Sequence, residues 1–195
     1  MRLFAAVLPP ADAVAELGTA VDGLRGMPVP AQQPLRWTDP SGWHFTLAFY
    51  GEVAEDAVPE LSARLERAAR RTDPFPLSLH GGGRFGDRAL WVGAAGDVRA
   101  LRLLAERALA AGRRAGVARE EHRAYRPHLT LARASGDTDL APYAAALDGF
   151  AGRDWTVAEL CLVRSRLPVS GVAGERPRYE VVERWPLGGP RVEGD

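Results

Sequence analysis

The stretch WHFTLAFYG at residues 43–51 has a counterpart in RPHLTLARA at residues 126–134. Both contain the frame His-x-Thr-Leu-Ala, which begins at His44 in one copy and at His128 in the other. The chain has 195 residues and four histidines, so two of the four begin the same frame nearly half a chain length apart. Side chains alternate between the faces of a β-strand, so each copy predicts a strand with its histidine and threonine on one face. The apolar residues between them are expected to anchor the other face in a core.

Hydrophobic periodicity predicts further strands and helices in both halves of the chain. The glycines at residues 81–83 are interpreted as the turn of a hairpin rather than as a phosphate-binding loop. The predicted strands cover residues 2–9, 35–39, 44–51, 75–83, 88–94, 128–133, 155–165 and 178–187, and the predicted helices cover residues 14–24, 56–71, 97–114 and 138–147.

This mixture of hairpins and crossovers predicts an α+β fold. The repeated motif predicts a bilobal duplicated fold, with two mostly antiparallel sheets lining a central cleft and helices on the outer faces. We expect residues 1–187 to form a single bilobal domain in which each lobe carries one His-x-Thr motif. The loop at residues 166–177 is expected to be mobile, and residues 188–195 are expected to form a flexible tail.

Composition excludes several classes of chemistry. The 25 basic and 25 acidic residues give a formal net charge of zero, so binding of a polyanion would need a local basic patch. Every basic residue is arginine, which excludes a lysine Schiff base, a Walker-type phosphate loop and a lysyl-nucleotide ligase mechanism. Cys161, the single cysteine, is expected to be a buried structural thiol. No apolar run approaches the roughly 20 residues that span a bilayer, and we expect a cytoplasmic protein without membrane association.

Two familiar kinds of catalytic site fit the paired motifs poorly. Catalytic zinc typically takes three protein ligands, whereas the two motifs supply two histidines and no Asp, Glu or Cys. A Ser–His–Asp triad needs a serine nucleophile and a carboxylate partner, and neither motif contains them. Neither a metal site nor a serine triad is therefore predicted.

Two histidines and two hydroxyls that face each other suit the chemistry of a phosphodiester. One imidazole can take a proton from the attacking group while the other protonates the departing oxygen, because histidine titrates near neutral pH. The hydroxyls of Thr46 and Thr130 can donate to the nonbridging oxygens as negative charge develops. Sequence alone does not decide which histidine is the acid and which is the base.

The paired His-x-Thr (HxTx) motifs resemble those of the 2H phosphoesterase superfamily, in particular its RNA 2′,3′-cyclic phosphodiesterase branch, also called the 2′-5′ RNA ligase family. The similarity extends to the opening RLFAAVLPP, the GGGRF…ALWVG hairpin and the closing RYEVVERWPL. The resemblance implies a bilobal α+β fold, no cofactor, and hydrolysis of a 2′,3′-cyclic phosphate to a 2′-phosphomonoester. By motif position, His44 resembles the proton donor and His128 the proton acceptor, while Thr46 and Thr130 match the phosphate-binding hydroxyls.

Residues beside the motifs give further candidates for substrate contacts. The family pattern favours Arg133 as a substrate contact. Strict alternation places Arg133 on the face opposite Thr130, so its side chain would reach a phosphate only if the strand bends or ends there. Arg126 is a candidate contact to the RNA backbone, and Phe49 or Tyr50 could stack on a base. Four further arginines are interpreted as a solvated face rather than as a binding patch: Arg113, Arg114, Arg119 and Arg123. The other two histidines, His80 and His122, are interpreted as structural.

The leading hypothesis is a monomeric hydrolase, a metal-independent cyclic phosphodiesterase acting on RNA with 2′,3′-cyclic phosphate ends or on cyclic nucleotides. Two alternatives stay open. One is ATP-independent 2′-5′ RNA ligase activity, in which a 5′-hydroxyl of RNA replaces water. The other is a non-catalytic module that binds RNA ends.

Overall fold

The structure, a computed structural model, describes residues 1–28, 35–117, 124–134, 138–167 and 177–189. Four helices and nine strands lie within these ranges. In chain order they are β1 (Arg2–Val7), α1 (Ala11–Arg25), β2 (Arg36–Trp37), β3 (Phe45–Glu52), α2 (Val58–Arg70), β4 (Phe75–Phe85), β5 (Ala89–Gly96), α3 (Val98–Arg114), β6 (Leu129–Arg133), α4 (Ala141–Leu147), β7 (Trp155–Val157), β8 (Glu159–Arg166) and β9 (Arg178–Pro186).

The strands form two antiparallel sheets. The first has the order β3-β1-β8-β9, and the second has the order β2-β6-β5-β4-β7. The strands that contain the two motif threonines, β3 and β6, occupy corresponding places in the two sheets when β2 is set aside. The predicted α+β fold with two antiparallel sheets is confirmed.

Strand β2 breaks the correspondence between the sheets. It precedes β3 along the chain, yet it pairs with β6 in the other sheet. A short 3₁₀ turn at Pro40–Gly42 then leads from β2 to His44, and Asp39 caps this turn by accepting a hydrogen bond from the amide of Ser41 at 2.9 Å. The segment that leads into the first motif is therefore attached to the strand of the second.

The helices bury one face each against the sheets. Helix α3 begins at an Asp97 cap, whose carboxylate accepts from the amide of Ala100 at 2.9 Å, and it buries Leu101 and Leu104. Helix α2 carries a proline in its first turn, where the missing N–H has no intrahelical partner to lose. One core cluster contains buried residues from all four helices and from both sheets. The apolar positions predicted from periodicity supply this core.

Two sequence predictions about strands are wrong. Residues 155–165 do not form one long strand, because the run divides at Ala158 into β7 of the second sheet and β8 of the first. Residues 81–83 are not a turn, because β4 continues to Phe85 and the chain reverses at residues 86–88. Two of the glycines instead make room for neighbouring side chains: a Cβ at Gly83 would collide with the indole of Trp91, and one at Gly82 with Leu147.

Some predicted features lie in or beside stretches outside the described residues. The expected mobile loop at 166–177 falls mainly on residues 168–176, and most of the expected tail falls on residues 190–195. At the start of that tail, the amides of Gly188 and Gly189 donate hydrogen bonds to carbonyls at the end of α2. Within the described ranges, no helix combines the length and apolar character required to span a membrane.

Candidate active site

The two motif histidines are held in the same way. Each precedes the first residue of its strand, and each ring is fixed by its Nδ1 atom against the carbonyl oxygen two residues earlier. The distance is 2.6 Å from His44 Nδ1 to Gly42 O and 2.7 Å from His128 Nδ1 to Arg126 O. A carbonyl can only accept, so Nδ1 carries the proton in both rings. The Nε2 atom of each ring is then left to accept a proton or, in the charged imidazole, to donate one.

The pKa values of both imidazoles are lowered from the ordinary value of 6.5. Burial is the largest cause in each case, and the contact of each ring with its backbone carbonyl opposes it. The charge of His128 and then that of Arg133 lower the pKa of His44 further. The charges of Arg133 and Arg126 do the same for His128. Both rings therefore favour the neutral form at neutral pH, and Arg133 lies within electrostatic reach of both.

A β-bulge in each motif strand decides which residues face the cleft. Thr130 pairs with Trp91 and Ala132 pairs with Leu90, so Leu131 is an extra residue without a partner on β5. The bulge shifts the alternation by one position, and Arg133 comes to the same face as Thr130 instead of the opposite one. The sequence analysis required a bend in the strand for Arg133 to reach the side of Thr130, and the bulge in β6 supplies it.

The first motif repeats this geometry. Thr46 pairs with Ala6 and Ala48 pairs with Ala5, so Leu47 is the extra residue in β3. Leu47 and Ala48 are both buried, as Leu131 and Ala132 are in the second motif. Phe49 therefore takes the position on β3 that Arg133 takes on β6. The duplicated sequence frame corresponds to a duplicated backbone irregularity.

Both motifs contribute to the wall of one cavity of about 520 Å³. Among the described residues of its wall, three are arginines and none carries a carboxylate, so a chain without net charge has a positive pocket at this place. The predicted site residues in the wall are His44, Thr46, Phe49, Arg126, His128 and Arg133.

Thr130 does not line this cavity, although Thr46 and both motif histidines do. Its cross-strand neighbour on β5 is Trp91, whereas the neighbour of Thr46 on β1 is Ala6. The indole of Trp91 extends over Gly83 of β4, on the side of β5 away from Thr130, so this neighbour does not account for the difference. The two threonines are equivalent in sequence but differ in exposure to the cavity.

Aromatic side chains flank both histidines, and the sequence analysis did not single them out. The His44 ring lies 4.7 Å from Phe4 and 5.0 Å from Tyr179 between centroids. The His128 ring lies 4.8 Å from Phe85 and 6.3 Å from Trp91. These rings come from strands distant in sequence, and no local signal marks them. They bury the imidazoles and so account for the lowered pKa values.

Arginines stack on aromatic rings at two places beside the site. The guanidinium of Arg2, which also lines the cavity, lies 4.8 Å from the centroid of Phe49. The guanidinium of Arg126 lies 6.0 Å from the centroid of Trp91. Stacked arginines of this kind can contact a phosphate with one edge and a base with their plane.

Thr38 connects the two motifs by hydrogen bonds. Its Oγ1 atom lies 2.9 Å from the carbonyl oxygens of both Thr130 and Leu131, at the bulge of β6, and its amide donates to Leu131 O at 2.8 Å. The indole Nε1–H of buried Trp43 donates to Thr38 Oγ1 at 2.9 Å. Since Trp43 directly precedes His44, one hydroxyl links the first histidine to the bulge that turns Arg133 toward the cleft.

The remaining candidates lie away from the cavity. Tyr50 is buried and donates its hydroxyl to Ala108 O at 2.9 Å, so it is a core residue. Arg113 and Arg114 are exposed on the last turn of α3, and His80 is exposed on β4 outside the cavity. His122, Arg119 and Arg123 lie outside the described residues.

Cys161 is buried, as predicted, and burial raises the pKa of its thiol to about 11. Across the ranges that the structure describes, no group of three or more His, Cys, Asp or Glu side chains is placed to hold a metal ion.

Comparisons with known proteins agree with this architecture. The family model of the 2′-5′ RNA ligase superfamily matches residues 13–167. The RNA 2′,3′-cyclic phosphodiesterase of Thermus thermophilus is 34% identical over 206 residues, a match that covers 97% of this chain and 91% of that protein. The crystal structure of apo E. coli LigT superposes with a TM-score of 0.74 at 26% identity, covering 96% of this chain and 97% of that one. E. coli LigT complexed with 3′-AMP gives a TM-score of 0.69 at 26% identity, covering 95% and 96%.

The fold and the site together define a duplicated α+β protein with one histidine from each sheet beside a shared positive cavity. The chain belongs to the 2′-5′ RNA ligase superfamily.

Proposed function

We propose that this protein hydrolyses the 2′,3′-cyclic phosphate at RNA ends to a 2′-phosphomonoester, without a metal or a cofactor. The observation that carries the proposal is the pair of imidazoles, each fixed through Nδ1, in the wall of one cavity that also contains Arg133. The T. thermophilus relative is itself named an RNA 2′,3′-cyclic phosphodiesterase, and the LigT structure with 3′-AMP shows a nucleotide bound to a protein of this fold.

In the proposed reaction, water attacks phosphorus opposite the 3′ oxygen. His128, neutral at Nε2, takes a proton from the water as the new P–O bond forms. The bond between phosphorus and the 3′ oxygen breaks, and His44, protonated at Nε2, gives its proton to that oxygen. The product has a 2′-phosphate and a 3′-hydroxyl, and solvent exchanges the protons that reset the two rings. General acid and general base catalysis each contribute about 10²–10⁴-fold.

Other groups of the site are assigned to the phosphate and the base. Arg133 would bind the nonbridging oxygens, and its charge grows in value as negative charge develops on them. Thr46 would donate a hydrogen bond to the same oxygens, and Thr130 is its counterpart by motif position. Phe49 with the stacked Arg2 would offer a platform for a base, and Arg126 would contact backbone phosphate. We also propose that the protein acts in the cytoplasm as a monomer.

The assignment of acid and base can be tested with a changed leaving group. We expect His44→Ala and His128→Ala each to lower kcat for uridine 2′,3′-cyclic phosphate by about 10²–10⁴-fold. When sulfur replaces the 3′ oxygen, the departing thiolate needs no proton, so His44→Ala should recover most of its activity and His128→Ala should not. Exposed His80 supplies the matched control, His80→Ala, which should behave as the parent does.

The opposite pattern, with recovery in His128→Ala alone, would reverse the assignment of acid and base. Full activity of either variant on the oxygen substrate would contradict the mechanism. A parent protein that binds the cyclic phosphate without turnover would instead favour a non-catalytic RNA-end-binding module.

A further inference from the structure

Arg36 lies beside Arg133 on the edge of the second sheet. The two residues are register partners in the antiparallel pair of β2 and β6. Residues directly opposite in such a pair share a face of the sheet, with Cβ atoms about 4.5–5.5 Å apart. Both arginines are exposed. The bulge that turns Arg133 toward the cleft therefore places it next to a second guanidinium.

The position of Trp37 independently shows which face Arg36 occupies. The Trp37 ring meets Tyr143 of α4 edge to face, with centroids 6.0 Å apart, and the guanidinium of Arg25 from α1 lies 5.3 Å from its centroid. Trp37 thus points to the side of the sheet covered by helices. Since neighbouring residues of a strand point to opposite sides, Arg36 points to the cleft side.

Neither arginine of the pair forms a salt bridge in the part of the chain that the structure describes. Like charges directly opposite each other on a sheet are destabilising. Two other exposed arginines on strands are paired with carboxylates, Arg166 with Glu180 at 2.8 Å and Arg184 with Glu159 at 3.1 Å. Arg36 and Arg133 make no salt bridge and no side-chain hydrogen bond within the described residues. An anion bound between the two guanidinium groups would offset this repulsion.

We propose that Arg36 forms a second phosphate subsite, which binds the phosphate on the 5′ side of the terminal nucleotide. The inference rests on the proposed function, because it takes Arg133 and the two histidines to bind the cyclic phosphate itself. Guanidinium groups bind phosphate with two parallel hydrogen bonds, and the two side chains that carry them start one strand spacing apart. The subsite assigns the substrate class: the end of an oligonucleotide, or a nucleotide with a 5′-phosphate, in preference to a nucleoside cyclic phosphate.

The test uses two substrates that differ by one phosphate group. These are uridine 2′,3′-cyclic phosphate and the same compound with a 5′-phosphate, and the measured quantity is the ratio of their kcat/KM values. We expect the parent to favour the 5′-phosphorylated compound by about tenfold to a hundredfold, the range for a hydrogen-bonded charged group. Arg36→Ala should lower this ratio about tenfold or more, and Arg36→Glu should lower it further because the carboxylate repels the phosphate.

Arg99 supplies the matched control. It is an exposed arginine in the first turn of α3, at the opposite end of β5 from Arg133, and Arg99→Ala should keep the ratio of the parent. If the parent hydrolyses both compounds with equal kcat/KM, or if Arg36→Ala lowers both equally, the subsite is overturned while the cyclic phosphodiesterase stands. If the parent hydrolyses neither compound, the proposed function fails and the subsite fails with it.

Discussion

The state of charge of two imidazoles controls the proposed chemistry. His44 must carry a proton and His128 must lack one, yet burial lowers the pKa of both from 6.5. Arg133 acts twice, because it would hold the phosphate and because its charge depresses both pKa values. A substrate phosphate adds negative charge to the same place, which counteracts Arg133 and raises both pKa values. The protonated acid is therefore favoured in the complex more than in the free protein.

The pH dependence of the reaction follows from these directions. For the free enzyme we expect a bell-shaped profile of kcat/KM with its maximum below pH 6.5, because activity is lost on the basic side as the acid with the lowered pKa gives up its proton. The profile of kcat, which reports the complex, should extend to higher pH. Initial rates measured from about pH 4.5 to 8 at constant ionic strength test this.

Replacing Arg133 separates its two effects. Arg133→Gln removes the positive charge that lowers both pKa values, so the basic limb of the kcat/KM profile should move to higher pH. The same change should lower kcat/KM at the optimum by about tenfold to a hundredfold, since a charged hydrogen bond to phosphate is lost. A profile that keeps its position in the Arg133→Gln variant would contradict this role of Arg133.

Short elements, rather than the long helices, fix the geometry of the site. Strand β2 has two residues, and the bulge in β6 adds one residue to a strand of five. Thr38 joins these elements, because its hydroxyl accepts from Trp43 and lies within hydrogen-bond distance of two carbonyls at the bulge. The position of His44 and the direction of Arg133 thus depend on one side chain outside the cavity wall.

We expect Thr38→Val to lower both stability and activity. The free energy of unfolding should fall by about 1–3 kcal/mol, because the buried Nε1–H of Trp43 loses its acceptor. As the bulge relaxes and Arg133 withdraws, the basic limb of the kcat/KM profile should move to higher pH, in the same direction as in Arg133→Gln. Thr38→Ser keeps the hydroxyl and should restore the profile of the parent. A Thr38→Val variant with lowered stability but an unchanged pH profile would reduce Thr38 to a purely structural role.

The sequence predicted the elements of this fold better than their pairing. The alternation in each motif was sufficient to place the histidines and their apolar neighbours, because side-chain direction in a strand is a local property. Local sequence patterns gave the wrong result for residues 155–165, where Ala158 divides the run between two sheets. They also gave the wrong result for the glycines of β4, where the neighbouring Trp91 comes from another strand. The bulges were not predicted for the same reason, because a residue of one strand is recognised as extra only when its pairing with the partner strand is known.

At the scale of the whole molecule, a duplicated arrangement produces one asymmetric site. The two sheets repeat the motif and the bulge, but Phe49 corresponds to Arg133, and Ala6 corresponds to Trp91. One half of the cavity is therefore suited to a base and the other to phosphate groups. A chain with 25 positive and 25 negative side chains thus presents positive charge where its two halves line one cavity.

The most direct test of the central claim is the product of one incubation. Purified protein is mixed with uridine 2′,3′-cyclic phosphate and excess EDTA, and the 2′- and 3′-monophosphates are separated by chromatography. We predict that the 2′-monophosphate forms alone, at the rate seen without EDTA, and that the double variant His44→Ala/His128→Ala forms none. Formation of the 3′-monophosphate, loss of turnover in EDTA, or undiminished turnover by the double variant would contradict the account.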